Sequence, residues 1–373
     1  MKRALCIMAL VCRMALSLVA SLPVVLGFYG DQLPQAFVQL VEEYPVQGVI
    51  LFDRNVARDE DGQQDPEKLA ALVQEIRSII PDARVLIDQE GGRVQRLKGK
   101  NFFDAPSPIS YVQKIEISPE SRPKVMKLLC DNTHRIDQDL LRVGINVSCA
   151  PCCDLLHPYT HDFLRDRTFG GDKDTVVECC LNVIRTMHRD GIIPVCKHCP
   201  GHGCAISDSH ASLPRAKGSF DELNQQDFDV FRKVATAVKQ EKLSPCWCMV
   251  SHVLYPSIDS ESSATFSKKI IDLIRSNIGF GEMPIISDCI AMNALTGPLW
   301  ERAVRVLQAG CNIVLCSHLL DEEGESATYE EYRQLLVAVQ QFLELYKECS
   351  GEISPECFEQ FLTETASNFR SFL

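Results

Sequence analysis

The chain has 373 residues, 46% of them hydrophobic, and a formal net charge of −12. That length and apolar content suit a globular chain with a large core, and a single α/β barrel can take up the whole of it. An acidic balance without a basic stripe excludes nucleic acid as an expected partner. After the N-terminus, no run of about 20 uncharged apolar residues signals a membrane span.

Residues 1–22 start basic and turn apolar, as an export signal does. Arg13 interrupts the apolar run, and a cut near Ala20 or Ser21 would abut PVVLGF, which reads as a strand. The segment is therefore either a signal, giving a periplasmic protein, or a helix beneath a barrel in a cytoplasmic one. Residues 23–373 read as one catalytic domain. Short apolar runs rich in β-branched residues predict strands over 23–28, 48–52, 84–88, 146–151, 193–198, 246–252, 284–288 and 312–317. Amphipathic patterns between them predict helices over 66–80, 122–144, 228–240 and 267–281, the last with Ser267 as N-cap and a glycine at its end. Eight such alternations, with strands apolar along their length, predict an α/β protein built as a single (β/α)8 TIM-type barrel. A doubly wound open sheet is the alternative. No GxGxxG turn follows the first strand, which counts against a dinucleotide-binding version. The 18 cysteines include adjacent pairs and members of apolar runs, and read mostly as buried thiols in a reducing compartment.

In a barrel, functional groups sit at the C-terminal ends of the strands. Asp88 ends the third expected strand, Lys197 and His198 the fifth, His252 the sixth and Asp288 the seventh. Charged groups there are costly unless they face an open site. The stretch DQEGGRVQRL (88–97) adds paired glycines, which allow close approach to a ligand, followed by Arg93 and Arg96. In Asp208–Ser209–His210, an extended backbone would point Asp208 and His210 the same way, so the carboxylate would fix the imidazole as a proton donor and acceptor. The stretch from Cys196 to His210 also offers zinc ligands in Cys196, His198, Cys199, His202, Cys204 and His210. On a regular strand Cys196 and His198 would face away from Lys197, and the second half of a two-CxxC framework is absent, so the zinc reading is the weaker one.

With GVILFDRNV (48–56), IDQEGGRVQRL (87–97), GINVSCAPCCDLL (144–156), RTFGGD (167–172), KHCPGHG (197–203), DSHASLP (208–214), VSHVLYPSID (250–259), ATFSKKIIDLIRSNIGFG (264–281) and ISDCIAMNAL (286–295), the chain resembles family 3 glycoside hydrolases. More narrowly it resembles the bacterial β-N-acetylglucosaminidases of peptidoglycan recycling, because KHxPGHG is paired with DSHxxLP. The resemblance implies a retaining double displacement that releases N-acetylglucosamine from 1,6-anhydro-muropeptides. It implies Asp288 as nucleophile and His210, oriented by Asp208, as acid/base. Asp88, Arg96, Arg167, Lys197 and His198 would hold the sugar, and Lys197 and Arg167 would help keep Asp288 ionised. A mobile loop would bring His210 in once the sugar has bound. No cofactor or metal is implied, the partner is a small sugar or muropeptide, and a monomer is expected. The chain departs from the family at Cys199, Cys204, Ser263 and Cys289, and the three cysteines suggest a thiol-sensitive site. The rival functions are a phosphorylase with phosphate as acceptor, a zinc-binding protein and a sugar-binding barrel without catalysis.

Overall fold

The computed structural model describes residues 21–207, 209, 212–243, 245–317 and 325–370. Most of the N-terminal segment lies outside the described residues, as do Asp208 and His210. The described residues hold ten strands: β1 Leu22–Leu26, β2 Val46–Leu51, β3 Arg84–Ile87, β4 Gln89–Gly91, β5 Val94–Gln95, β6 Val147–Ser148, β7 Ile193–Cys199, β8 Trp247–Val250, β9 Ile285–Ser287 and β10 Val314–Cys316. Eight of them form one sheet in the order β10-β1-β2-β3-β6-β7-β8-β9, and β4 and β5 pair as a separate hairpin. Every pairing in the large sheet is parallel. Its two ends meet through a parallel bridge between Ile286 and Ile313, where Ser287 N donates to Ile313 O at 3.0 Å. The sheet is therefore a nearly closed barrel ringed by helices, a TIM-type barrel as expected.

The strands alternate, and the alternation decides the core. Val25, Ile50, Leu86, Val147, Cys149, Ile193, Val195, Trp247, Met249, Ile286, Ile313 and Leu315 point inward and fill the barrel. Their neighbours, such as Val24, Val49, Val85, Cys196, Cys248, Ile285 and Val314, pack outward under the helices. Both faces are apolar because both are covered, which explains runs without polar alternation.

Helices Pro66–Ile79, Arg122–Arg142 and Asp227–Gln240 lie within a few residues of expectation. The first is capped by Asp65, whose side chain accepts from Lys68 N, with proline at the first helical position. Ser267 caps Lys268–Leu273 as expected, accepting from Ile270 N, and the helix then widens into a π-turn over Ile274–Ile278 and stops at Gly279. Sixteen described cysteines are free thiols, and all but Cys130, Cys289, Cys349 and Cys357 are buried. Among the described residues, no helix is long and apolar enough to cross a membrane.

Candidate active site

The inward alternation continues to the strand ends and beyond. Two residues beyond Ile50, Leu86, Val195, Ile286 and Leu315 stand Phe52, Asp88, Lys197, Asp288 and Ser317, and all five line one cavity of about 740 Å³. Arg93, Arg96, Arg167, His198, His202, Ser209 and Cys289 complete much of its wall. The cavity lies at the C-terminal rim, where barrels place their chemistry. It gathers the described residues that the resemblance assigned to the site, namely Asp288, Asp88, Arg96, Arg167, Lys197 and His198.

These charges form a ladder. Arg96 Nη2 donates to Asp88 Oδ2 at 3.0 Å, and Lys197 Nζ to Asp88 Oδ1 at 3.0 Å. Lys197 Nζ also lies 2.6 Å from Glu90 Oε1, and Glu90 takes a forked pair from Arg167 at 2.9 and 2.8 Å. Burial alone would raise both carboxyls. The charges of Lys197 and Arg96 outweigh it and hold Asp88 well below the usual range. Those of Arg167 and Lys197 bring Glu90 down to about 2. Burial would strip the proton from Lys197, but Asp88 and Glu90 hold it there more firmly than in water.

Asp288 is half-buried, and loss of water around it raises its carboxyl, but the net shift is downward. The imidazoles of His252 and His198, the Cys289 amide donating at 2.7 Å, and lastly Lys197 favour its charged form. The expected help from Arg167 is not what holds it, because Arg167 is committed to Glu90. His252 is corrected too: it does not line the cavity. Its ring contacts Thr265 Oγ1 at 2.7 Å and Cys289 O at 2.9 Å, bracing the peptide that follows Asp288.

His198 faces the cavity beside Lys197, not away from it. The ladder between β7 and β8 shifts register between Cys196 and Cys199, so the simple alternation expected for a regular strand breaks there. Asp154 Oδ2 accepts from His198 Nδ1 at 2.7 Å and from His198 N at 3.1 Å. A charged carboxylate only accepts, so Nδ1 carries a proton. Burial would raise Asp154, yet His198 and His202 bring it down to about 2.

The zinc reading does not gain from this geometry. Cys196 lies 3.7 Å from Cys246 Sγ in the outer core, and Cys204 donates to Gly201 O at 3.1 Å. Among the described residues, the one trio within reach of a shared ion is Cys152, Asp154 and His198, which takes a single member from the Cys196–His210 stretch. The paired glycines are corrected in the same way. A Cβ on Gly91, at φ 95°, would sit 2.5 Å from Pro106 O, so the close approach is to the protein's own chain.

Sequence reasoning missed Glu90, Asp154 and Phe163. The signal for Glu90 was its place two residues after Asp88. The signal for Asp154 was a lone carboxylate in the apolar run SCAPCCDLL, which cannot stay buried without a partner. Phe163 had none; it reaches the cavity because Arg93 bonds Asp166 at 2.5 Å and also the Phe163 carbonyl.

The suspicion about cysteines narrows to one residue. Cys199 and Cys204 are fully buried in the core, whereas Cys289 lines the cavity and accepts from Ser317 N and Oγ at 3.3 and 3.1 Å. Burial pushes its thiol up, so the nucleophilic thiolate is scarce at neutral pH. Iodoacetamide should label Cys289 slowly, faster as pH rises, and a bound sugar should block it. Peptide mass mapping checks this; equal labelling of Cys199 or Cys204 in the folded protein would contradict it.

The domain described as "Glycosyl hydrolase family 3 N terminal domain" matches residues 16–340. A protein named "Beta-hexosaminidase" from Methylobacillus flagellatus is 30% identical over 307 residues, covering 81% of this chain and 82% of its own. Another of that name, from Alkalilimnicola ehrlichii, is 33% identical over 301 residues, covering 79% and 81%. Among solved structures, NagZ from Neisseria gonorrhoeae with N-trifluoroacetyl-D-glucosamine has a TM-score of 0.71 at 25% identity, covering 93% of this chain and 97% of that one. The same protein with a zinc ion gives 0.71 at 26%, covering 87% and 90%. The chain belongs to glycosyl hydrolase family 3, and it is a glycoside hydrolase whose curated relatives are β-hexosaminidases.

Proposed function

We propose that the chain is a retaining exo-β-N-acetylglucosaminidase that removes N-acetylglucosamine from 1,6-anhydro-muropeptides in peptidoglycan recycling. The observation that carries this reading is Asp288: a half-buried carboxylate, held in its charged form, in the wall of a cavity that Asp88, Arg96, Arg167, Lys197 and His198 also line. The likeness to a protein solved with N-trifluoroacetyl-D-glucosamine supports the choice of sugar.

In this reading Asp88, Arg96, Lys197, Arg167 and His198 take the sugar's hydroxyls and acyl group. Asp288 attacks the anomeric carbon and the glycosidic C–O bond breaks. His210, oriented by Asp208, gives its proton to the leaving oxygen. The same imidazole then takes a proton from water, which displaces Asp288 and restores the β configuration. A carboxylic acid commonly fills the acid/base role in retaining enzymes. The histidine is favoured here by the DSH motif and by pKa matching near neutral pH.

The test is hydrolysis of an aryl β-N-acetylglucosaminide with the first-formed anomer read by NMR. The β anomer is expected. An α anomer would overturn retention, no cleavage would overturn the substrate class, and sugar 1-phosphate formed in phosphate buffer would move the reading to a phosphorylase.

A further inference from the structure

Most of the described cysteines are core filler. All but Cys130, Cys289, Cys349 and Cys357 are buried, where a thiol packs as a small apolar group. Of these four, Cys289 belongs to the cavity. Two of the other three face each other. Cys349 and Cys357 are half-buried against the edge of the core, and their thiols lie within hydrogen-bonding reach.

Two helix caps hold the pair in place. The helix Glu325–Glu348 ends just before Cys349. Ser350 N donates to Lys347 O at 3.1 Å and Gly351 N to Tyr346 O at 2.8 Å. With Ser350 at φ 58° and Gly351 at φ 89°, these bonds close the helix in a left-handed C-terminal cap. Ser354 then opens the helix Pro355–Arg370. Its hydroxyl accepts from Cys357 N at 3.2 Å, and proline stands at the first helical position. Between the caps, Ile353 is buried and its carbonyl accepts from Gln308 Nε2 at 3.2 Å. The end of one helix and the first turn of the next therefore present one thiol each, side by side.

The helix Pro355–Arg370 lies beyond the matched family domain, which stops at residue 340. It packs back on the barrel through rings. Phe358 and Phe361 each meet Phe342 at 6.1 Å, and Phe369 meets Trp300 edge-on at 5.6 Å. Trp300 belongs to the helix Leu299–Ala309, whose Arg302 donates to Ile290 O at 2.7 Å in the segment after Asp288.

We propose that Cys349 and Cys357 form a reversible disulfide that staples the helix Pro355–Arg370 to the helix before it, with a low-molecular-weight disulfide such as oxidised glutathione as the oxidant. One cysteine, as thiolate, attacks a sulfur of the oxidant, whose S–S bond breaks, and one small thiol leaves. The second cysteine attacks the mixed disulfide, the protein S–S bond forms, and the second small thiol leaves. The two protein thiols lose two electrons and two protons, and the two small thiols carry both away. Closing so short a loop removes open arrangements of the last helix. Cys196 and Cys246 supply the contrast. Their sulfurs are 3.7 Å apart, but both residues are fully buried, so a dissolved oxidant has no route to them in the folded protein.

The experiment equilibrates the full chain in glutathione buffers from reducing to oxidising, blocks the remaining thiols and maps peptides by mass spectrometry without reduction. A peptide pair joined at Cys349 and Cys357, lighter by the two hydrogens lost, should accumulate as the buffer becomes oxidising and vanish on reduction. Amide hydrogen exchange over residues 355–370 should slow roughly 10-fold once the bond has formed. Cys349→Ser and Cys357→Ser should each stop at a glutathione adduct on the remaining cysteine, with exchange unchanged. Glutathione on both cysteines of the parent without a cross-link would overturn the proposal. So would a cross-link that leaves exchange over 355–370 as it was, or equal slowing in the serine variants. A Cys196–Cys246 link at the same oxidant level would show that access does not select the pair, and would overturn it as well.

Discussion

Asp288→Ala should be nearly inactive on every substrate, whereas His210→Ala should be inactive only where the leaving group needs a proton. On the proposed mechanism no glycosyl–enzyme bond forms without Asp288, so kcat should fall by more than the ~10²–10⁴-fold that acid–base help supplies. The fold should survive, since Asp288 sits on a cavity wall and its removal relieves a partly desolvated charge. His210→Ala keeps the proposed nucleophile. A dinitrophenyl glycoside should still give a burst, and then stall, because water has lost its base. Mass spectrometry should find the sugar on Asp288. Azide needs no deprotonation, so it should restore turnover and yield a β-glycosyl azide. Asp208→Ala should show a milder form, since the imidazole remains but loses its orienting carboxylate. The acid limb of the kcat/KM profile should lie below the usual carboxylate range. Asp288 has a lowered pKa, so it stays ionised until the pH falls through that lowered value. Equal loss on both substrates in His210→Ala, with no burst and no azide rescue, would remove His210 from the role.

Much of this site follows from one rule that a sequence exposes directly. An apolar strand in a barrel must send alternate side chains inward, and the first polar residue on that face past the core marks the rim. Leu86 to Asp88, Val195 to Lys197 and Ile286 to Asp288 obey it. His198 does not, because the register shift in β7 is set by pairing with β8 and leaves no trace in a local pattern. Cys199 and Cys204 mislead for the opposite reason: they sit beside site residues in sequence but face the outer core. The supporting carboxylates are hidden more deeply. Asp154 meets His198 across 44 positions of chain, and Glu90 meets Arg167 across 77, so neither pairing has a local signature. The sequence shows only that a carboxylate stands where it needs a partner, and the fold names the partner. For Asp208 and His210, the motif and the family remain the whole argument.

Glu90→Gln should therefore be the most damaging change away from the reacting atoms. Its side chain is 1% exposed, and it stands between Lys197 and Arg167, which are themselves almost wholly buried. The substitution keeps the shape and removes the charge. Arg167 loses its forked partner and Lys197 keeps only Asp88. Breaking one member of a buried ionic set typically costs about 3–5 kcal/mol, mostly because the cation left behind is uncompensated. The effect should depend on pH in a defined direction. Glu90 is lowered in the folded protein to about 2 from an ordinary value of 4.5. Its ionised form therefore stabilises the fold fully above pH 4.5, and that contribution fades as the pH falls toward 2. Parent and variant differ in one titrating group, so the pH dependence of the stability gap reads the ladder around Glu90. Denaturant unfolding at pH 7 should show the full gap, and each pH unit below 4.5 should remove about 1.4 kcal/mol of it. Activity should fall as well, with the loss chiefly in KM, because Lys197 and Arg167 would no longer be held against the sugar. A gap that stays flat from pH 7 to pH 3 would show that Glu90 is not an ionised member of the ladder. An unchanged KM in a folded variant would show that the ladder does not set the two cations for binding.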